Sequence, residues 1–204
     1  MAKTSLTKLA ATMADVVAVL PAERAFAVVG GLAVSTRTEP RFTRDIDFAV
    51  AVESEEDAQQ VVYRMQRSGF LVEAIIENRA SRRMATARLR QGPKAPMVDL
   101  LFAASGIEPE VAASATKEDV LGQLVPVALV GHLIAMKLVS IDDDRRPRDR
   151  ADLVELSKAA DDTEWARAVT AVRLIRERGF GRDRDLAAAL EEWRERARVI
   201  RSGA

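Results

Sequence analysis

The sequence predicts a mixed α/β (α+β) protein in which a small mixed sheet is followed by a C-terminal bundle of helices. Over the first part of the chain, short apolar runs bounded by glycine or proline alternate with amphipathic stretches. After Pro126 the apolar residues keep helical spacing only. This change in pattern predicts a first domain over residues 1–125 and a second over residues 126–204.

The composition is that of an ordinary globular protein. The chain has 204 residues, of which 48% are hydrophobic and 30% are charged, and this length fits one medium domain or a domain with a helical appendage. Lysine and arginine together number 31, as do aspartate and glutamate, so the formal net charge is zero. Nothing in the overall charge therefore indicates a nucleic-acid or membrane partner.

Two residue types are nearly absent. The chain has no cysteine and one histidine, which excludes disulfides, thiolate zinc sites, cysteine nucleophiles and histidine metal clusters. Any metal would be held by oxygen. The N-terminal segment is interrupted by Thr12 and Asp15 and reads as an amphipathic helix, and no apolar run approaches the ~20 residues that span a bilayer. We expect a soluble, cytoplasmic protein without a membrane partner.

The elements of the first part can be predicted in order. Residues 6–20 predict a helix that ends at Pro21, and AFAVVGG predicts a buried strand that two glycines end before LAVSTR begins a helix. A second strand runs over residues 45–52. SEEDAQQVVYRMQRSGF predicts a helix capped by Ser54 and stopped by Gly69. FLVEAIIE, RMATARLR and MVDLLFA predict strands, and GIEPEVAASAT predicts a short helix.

The second part is predicted to be helical throughout. Its four helical segments are VALVGHLIAMKLVS, DRADLVELSKAA, TEWARAVTAVRLIRERG and RDLAAALEEWRERARVI. Between the first two lies the charge-dense segment DDDRRPRDR. Its arginines form either a solvated loop or a contact for an RNA backbone or a triphosphate.

Two aspartates at the start of the second strand are candidate metal ligands. Side chains alternate along a strand, so Asp45 and Asp47 share one face while Ile46 and Phe48 point into the core. Adjacent carboxylates repel each other, and a cation between them removes the repulsion. Mg²⁺ suits this position because it binds one or two carboxylates together with substrate phosphates. The alternative is that these acids are ordinary surface residues that bind no metal.

A third acid and a glycine pair strengthen the prediction. Asp99 lies at the start of a separate buried strand, VDLLFA, and three carboxylates would converge if that strand lay beside the first. Such a cluster could hold two metals ~3.5–4 Å apart for in-line attack on phosphorus. Gly30 and Gly31 would let backbone N–H groups approach a phosphate at a helix N-terminus. The alternative for the glycines is a tight turn from strand to helix.

The order of these motifs resembles a known family. VVGGLAVSTRTEPRFTRDIDFAV resembles the signature of the nucleotidyltransferase superfamily that shares the DNA polymerase beta palm. In that superfamily a Gly-Gly or Gly-Ser turn precedes a D-x-D or D-x-E pair, and a third carboxylate lies on a later strand. The chain is most similar to the AbiEii-type abortive-infection toxins and related tRNA-targeting nucleotidyltransferase toxins. Their second block, a helix with a lysine followed by a basic loop and two acids, matches HLIAMKLVSIDDDRRPRDRADLVEL.

The resemblance implies a role for each matching residue. Gly30 and Gly31 would hold the nucleotide phosphates, the first two aspartates would ligate Mg²⁺, and Asp99 would lie nearest the attacking hydroxyl. Lys137 would steady the triphosphate, and Asp152, with Asp149 as the alternate, would orient that lysine or a substrate group.

The chain departs from the family pattern at two positions. Leu32 stands where members often have Ser or Thr after the glycines, and Ser35 or Thr36 could supply the hydroxyl instead. Arg148 replaces the lysine usually found before the final acids, which keeps the charge and changes its geometry.

These features predict a Mg²⁺-dependent nucleotidyltransferase. It would move a nucleoside monophosphate from an NTP to an acceptor hydroxyl, for which the resemblance implies a tRNA 3′ end and a cognate antitoxin partner. A protein or small-molecule hydroxyl is the alternative acceptor. Two other hypotheses are a nucleotide-binding, antitoxin or adaptor module that lost turnover, and metal-dependent phosphodiester hydrolysis.

Overall fold

The computed structural model describes residues 2–20, 24–78, 82–141 and 147–202. These residues contain eight helices and seven strands. The helices are α1 Ala2–Val19, α2 Gly30–Arg37, α3 Glu55–Arg67, α4 Glu108–Ser114, α5 Val130–Ser140, α6 Pro147–Ala159, α7 Asp162–Glu177 and α8 Leu186–Ser202. The strands are β1 Phe26–Val29, β2 Asp45–Val50, β3 Leu71–Glu77, β4 Met84–Arg90, β5 Met97–Leu101, β6 Thr116–Val120 and β7 Gln123–Val127.

The strands form one mixed sheet in the order β3-β4-β5-β2-β1-β7-β6. The β2–β5 and β1–β7 pairs are parallel, and the other neighbours are antiparallel. This arrangement confirms the predicted mixed α/β fold class. It also places β2 beside β5, as the convergence of the three acids requires.

Alternation along the central strands divides the sheet into two faces. Ile46 and Phe48 of β2 and Leu100 of β5 are fully buried in the core, whereas Asp45 and Asp47 lie on the other side. Ser54 caps α3 as predicted, since its hydroxyl accepts a hydrogen bond from the Asp57 backbone N–H (3.1 Å). The apolar face of β2 thus fixes where its acids emerge.

The hairpin of β6 and β7 is the main departure from the sequence prediction. Its residues were not predicted as strands, and the helix predicted from Val127 begins three residues later, at Val130. Val127 pairs with Val28 of β1, so the predicted domain boundary at Pro126 falls inside a strand of the sheet. The division into two domains stays a prediction.

The four C-terminal helices, α5 to α8, pack on one another, and two of them contact α2. Helix α5 contacts α6, α7 and α8, while α2 contacts both α5 and α6. One continuous apolar core extends from the sheet into these helices. In the part of the chain that the structure describes, no helix combines the length and apolarity that crossing a membrane needs.

Candidate active site

The three predicted acids lie together on neighbouring strands. Asp47 of β2 is in register with Asp99 of β5 in the parallel pair, and Asp45 is two residues before Asp47 on the same face. Asp45 is exposed at the strand end, Asp47 is half-buried and Asp99 is only 8% exposed. The structure therefore brings the three carboxylates to one region of the sheet.

An arginine from the next strand pairs with the third acid. Arg88 of β4 is in register with Asp99, and its Nε and Nη2 donate to the two carboxylate oxygens at 2.8 and 2.6 Å. This fork geometry is the strongest form of arginine–carboxylate pairing. Among the described residues, no three His, Cys, Asp or Glu side chains are grouped so as to hold a metal ion, and Arg88 is the cation beside Asp99.

The charges of the cluster act on Asp45. The surrounding protein strips part of its hydration and raises the pKa of Asp45 above its usual value, and nearby Asp99 raises the pKa further. Arg88, Arg44 and Arg148 act in the opposite direction. The hydrogen bonds to Asp99 raise the pKa of Arg88, so this guanidinium stays charged. The arginines thus offset only part of the effect of burial and of Asp99 on Asp45.

Gly30 makes the close approach between the turn and the acids possible. It has a φ of +61°, the left-handed region that favours glycine, and a Cβ there would lie 1.9 Å from Asp47 Oδ2. The Asp47 carboxylate therefore rests directly against the turn that begins α2. No other residue type fits this position without displacing Asp47.

Gly31 faces a different pair of side chains. A Cβ at Gly31 would lie 2.8 Å from Thr43 Oγ1 and 3.1 Å from Arg41 Nη2. The N-cap residue of α2 is Val29, whose side chain makes no capping hydrogen bond. The glycine turn thus touches a carboxylate on one side and a guanidinium on the other.

A cluster of four charged side chains, the ion quartet, joins the turn to the helical half. Its members are Arg41, Lys137, Asp149 and Asp152. Lys137 Nζ lies 2.6 Å from Asp149 Oδ1 and 2.8 Å from Asp152 Oδ2, and Arg41 forks onto Asp152 at 2.6 and 2.7 Å. Ser140 Oγ donates to Asp149 Oδ2 at 3.0 Å. Both acids are buried, and the cluster is neutral.

The quartet joins residues of the second sequence motif to the loop before β2. Lys137 comes from α5 and both aspartates from α6, and Arg41 comes from the loop between α2 and β2. Asp152 contacts both cations, and it therefore holds the loop against the helices. The two cations together balance the two buried carboxylates.

Two charged residues of the candidate site, Arg41 and Arg88, have no role in the sequence analysis. Arg88 lies in the predicted strand RMATARLR, but the sequence does not show that this strand pairs with the one that carries Asp99. The register of these strands decides the contact with Asp99.

The hydroxyl groups near the turn are already engaged. Ser35 Oγ donates to the Gly31 carbonyl at 3.0 Å, and Thr36 Oγ1 donates to the Leu32 carbonyl at 2.9 Å. Leu32 is 7% exposed and packs in the core. In this arrangement neither hydroxyl replaces the missing Ser or Thr. The backbone N–H groups of the turn remain the candidate phosphate donors.

The basic loop lies partly outside the described residues. Arg145 and Arg146 of the predicted RNA or triphosphate contact belong to that part of the chain. Arg148, at the start of α6, lies close enough to Asp45 to lower its pKa. The first turn of α6 therefore approaches the carboxylates.

A separate cavity of about 280 Å³ lies between the helices. Ile107, Glu110, His132, Arg167 and Leu174 contribute to its lining. It contains none of the predicted site residues, so its size does not make it the reaction centre.

Comparison with known families finds a match over most of the chain. The family described as "Nucleotidyl transferase AbiEii toxin, Type IV TA system" matches residues 13–202. The chain belongs to the AbiEii nucleotidyltransferase toxin family. The match includes both motif blocks, and it confirms the resemblance inferred from the sequence and the assignment of the chain as a nucleotidyltransferase.

Solved structures show where the AbiEii chain's fold recurs. An antigenic nucleotidyltransferase-like protein from Paracoccidioides brasiliensis is 18% identical with a TM-score of 0.50, covering 92% of this chain and 93% of its own. The antibiotic-resistance factor ANT(2″)-Ia is 16% identical with a TM-score of 0.47, covering 100% and 96%. The first comparison shows a shared fold. No curated protein matches the chain significantly.

Proposed function

We propose that the protein transfers a nucleoside monophosphate from a Mg²⁺-bound NTP to an acceptor hydroxyl. The observation that carries the proposal is the position of the glycine turn. Gly30 rests against the Asp47 carboxylate, while Gly31 rests against Arg41 of the ion quartet. A triphosphate at this turn would have carboxylates on one side and the cations of the quartet on the other.

The nucleotide side of the site is formed by the turn and the quartet. Backbone N–H groups at the start of α2 are suited to a phosphate, because helix N-termini favour anions. Lys137 and Arg41 add positive charge, and Asp149 and Asp152 hold those cations in place. Pyrophosphate would leave toward this side.

The donor set fits Mg²⁺. Asp45 and Asp47 provide oxygen ligands from one face of β2, and Mg²⁺ is typically bound by one or two carboxylates plus substrate phosphates. Burial first, and the neighbouring Asp99 second, raise the pKa of Asp45, and a bound cation would act in the opposite direction. When bound, the metal would supply charge stabilisation at the attacking and leaving oxygens.

The reaction is an in-line displacement at the α-phosphorus. The acceptor oxygen forms a bond to the α-phosphorus, and the bond from that phosphorus to the α–β bridging oxygen breaks. The electron pair leaves with pyrophosphate, and the hydroxyl proton passes to the Asp99 carboxylate. Lys137 and Arg41 stabilise the charge on the leaving group. Catalysis would come from positioning and fixed charge.

A tRNA 3′ end is the first candidate acceptor, and a cytoplasmic location with a cognate antitoxin is the matching biological setting. The support is the family description, which places AbiEii proteins in type IV toxin–antitoxin systems. A protein or small-molecule hydroxyl is the alternative acceptor.

Label transfer tests the proposal. The wild type and an Asp45→Asn/Asp47→Asn variant would be incubated with Mg²⁺, each α-³²P-labelled NTP in turn, total tRNA and cell lysate. The matched control is Asp162→Asn/Asp183→Asn, which neutralises two exposed aspartates of the helical half. We expect wild type and control to label one acceptor class and the site variant to label none. A wild type that labels nothing with any NTP, although it binds Mg²⁺–NTP by calorimetry, would support the binding-module hypothesis instead.

A further inference from the structure

The site residues form a row across four neighbouring strands. Arg88 of β4 is in register with Asp99 of β5, Asp99 with Asp47 of β2, and Asp47 with Val29 of β1. Gly30 follows Val29 directly. Neighbouring strands lie about 4.8 Å apart, so Arg88 lies roughly 10 Å from Asp47 along the row. The row therefore has two distinct ends, the glycine turn and Arg88.

The two ends face different substrates in the proposed reaction. The glycine turn and the ion quartet form the nucleotide side, and in-line displacement requires the attacking hydroxyl to come from the opposite side of the α-phosphorus. Arg88 lies beyond Asp99 when the row is followed from the turn. This position puts Arg88 on the side from which the acceptor approaches.

Two nitrogens of the Arg88 guanidinium are held by Asp99, and the third nitrogen is available. Arg88 Nε and Nη2 are used by Asp99, and the side chain is 39% exposed, whereas that of Asp99 is 12% exposed. Among the described residues the structure records no hydrogen-bond acceptor for Nη1. A guanidinium held in this way can orient a carboxylate and still donate to an incoming anion.

The neighbouring strand leaves Arg88 accessible. The residue opposite Arg88 on β3 is Ala74, an exposed small residue on the edge strand of the sheet. Ile76, on the same face, is 47% exposed. A large acceptor can therefore reach Arg88 over the edge of the sheet.

We propose that Arg88 is the acceptor-side positioning residue. It holds Asp99 in the orientation that receives the hydroxyl proton, and it donates from Nη1 to a phosphate oxygen next to the acceptor hydroxyl. The inference rests on the proposed nucleotidyl transfer. It predicts an acceptor that carries phosphate near its reactive hydroxyl, as a polynucleotide end does.

Steady-state kinetics with bulk tRNA as the acceptor separates Arg88 from the nucleotide side. We expect Arg88→Met to lower kcat/KM for tRNA by about tenfold or more, the usual range for a lost charge-assisted hydrogen bond, and to leave the KM for NTP within about twofold. Arg88→Lys should recover part of the tRNA KM and less of kcat, because an ammonium cannot fork onto Asp99.

Arg178→Met is the matched control. Arg178 also forks onto a carboxylate, that of Glu110 in α4, and its side chain has the same 39% exposure. We expect its kinetics to stay within about twofold of wild type, as is usual for a surface change away from the site. Melting curves would show that all variants are folded.

Two results would overturn the inference. An NTP KM that rises as much as the tRNA KM would place Arg88 on the nucleotide side, and Arg88→Met kinetics equal to those of Arg178→Met would remove its positioning role. Filter binding of bulk tRNA gives a readout without turnover. If wild type transfers no label but binds tRNA more tightly than Arg88→Met, the transfer fails and the tRNA contact stands. If wild type and Arg88→Met bind tRNA equally, the acceptor contact fails.

Discussion

At the scale of single residues, Asp152 is the anion on which the ion quartet depends. It is 1% exposed and contacts both Arg41 and Lys137. Neutralising it leaves the cations Lys137 and Arg41 with Asp149 as the one remaining carboxylate of the quartet. We expect Asp152→Asn to lower the free energy of unfolding by about 3 kcal/mol, the usual range for breaking a buried ion pair. Urea unfolding followed by circular dichroism measures this change.

Glu155→Gln provides the control for Asp152. Glu155 lies on the same helix and pairs with Lys158 at the surface. Exposed pairs contribute about 0–1 kcal/mol, so this variant should unfold close to wild type. If the two variants were equally stable, the quartet would contribute nothing to holding the loop on α6.

Gly30 allows a second prediction at this scale. Gly30→Ala would place a Cβ 1.9 Å from Asp47 Oδ2 and would also adopt an unfavourable φ of +61°. We expect loss of nucleotidyl transfer because Asp47 must move. Gly122→Ala is the control, since it has a φ of +82° and nothing within 4 Å of the added Cβ. Both variants carry about 1–2 kcal/mol of backbone strain, and only Gly30→Ala should lose label transfer. Retained activity in Gly30→Ala would show that the Asp47 position is not required.

The face on which a strand residue lies could be predicted from the sequence, because it follows from local alternation. Contacts that depend on how neighbouring strands pair could not be predicted. Asp45 and Asp47 were placed on one face because side chains alternate along a strand. The contacts of Arg41 and Arg88 depend on which strands are neighbours and on how a loop folds over α6. No local pattern encodes either of these.

At the scale of elements, the packing of α5 on α7 depends on Gly131. A Cβ there would lie 2.3 Å from the Glu164 carbonyl oxygen and 2.9 Å from Arg167 Cβ. The Gly131 N–H also donates to Glu164 Oε2 at 2.6 Å. The two helices therefore approach more closely than any larger residue permits.

We expect Gly131→Ala to destabilise the protein although alanine favours helices. The helix propensity gain is about 1 kcal/mol, whereas forcing two packed backbones apart typically costs about 1–3 kcal/mol. Urea unfolding should therefore show a net loss, and Gly131→Val should lose more. A Gly131→Ala variant more stable than wild type would show that α5 and α7 separate freely.

The β6–β7 hairpin shows why one element escaped sequence prediction. The first strand, TKEDV, is polar and mostly exposed, and the second contains Pro126. The turn uses Leu121 at a φ of +56° and Gly122 at +82°. Two positive φ values fit a tight hairpin turn, but leucine is not a residue that signals one. By contrast, β1, β2 and α3 follow the common rules and were predicted close to their observed bounds.

At the scale of the whole molecule, a zero net charge hides local positive charge at the candidate site. Asp45 lies within electrostatic reach of Arg88, Arg44 and Arg148. A polyanionic substrate at this carboxylate would therefore also meet positive side chains. For this reason a net charge of zero does not exclude a nucleic-acid partner. The distribution of charge around the site is more informative than the total.

The only histidine of the chain predicts how overall stability depends on pH. His132 is 6% exposed, and its pKa is lowered from 6.5 to about 4. Burial is the largest cause and Arg167 the second, while Glu164 and Glu110 act in the opposite direction. Its Nδ1 lies 3.3 Å from Ser114 Oγ. The folded state therefore holds this imidazole neutral under conditions where the unfolded chain binds a proton.

The sign of the effect follows from proton binding. Above pH 6.5 the imidazole is neutral in both states. Between pH 6.5 and about 4 only the unfolded state is protonated, so the free energy of unfolding decreases as the pH is lowered through this range. A shift of this size corresponds to about 3 kcal/mol. His132→Asn should remove this part of the pH dependence, so the difference in unfolding free energy between wild type and variant should shrink by about 3 kcal/mol from pH 7 to pH 4. Urea unfolding at half-unit pH steps measures it, and comparing the two proteins cancels the carboxylates that titrate in both. Parallel curves over this window would mean that His132 is already protonated in the folded protein or is hydrated there.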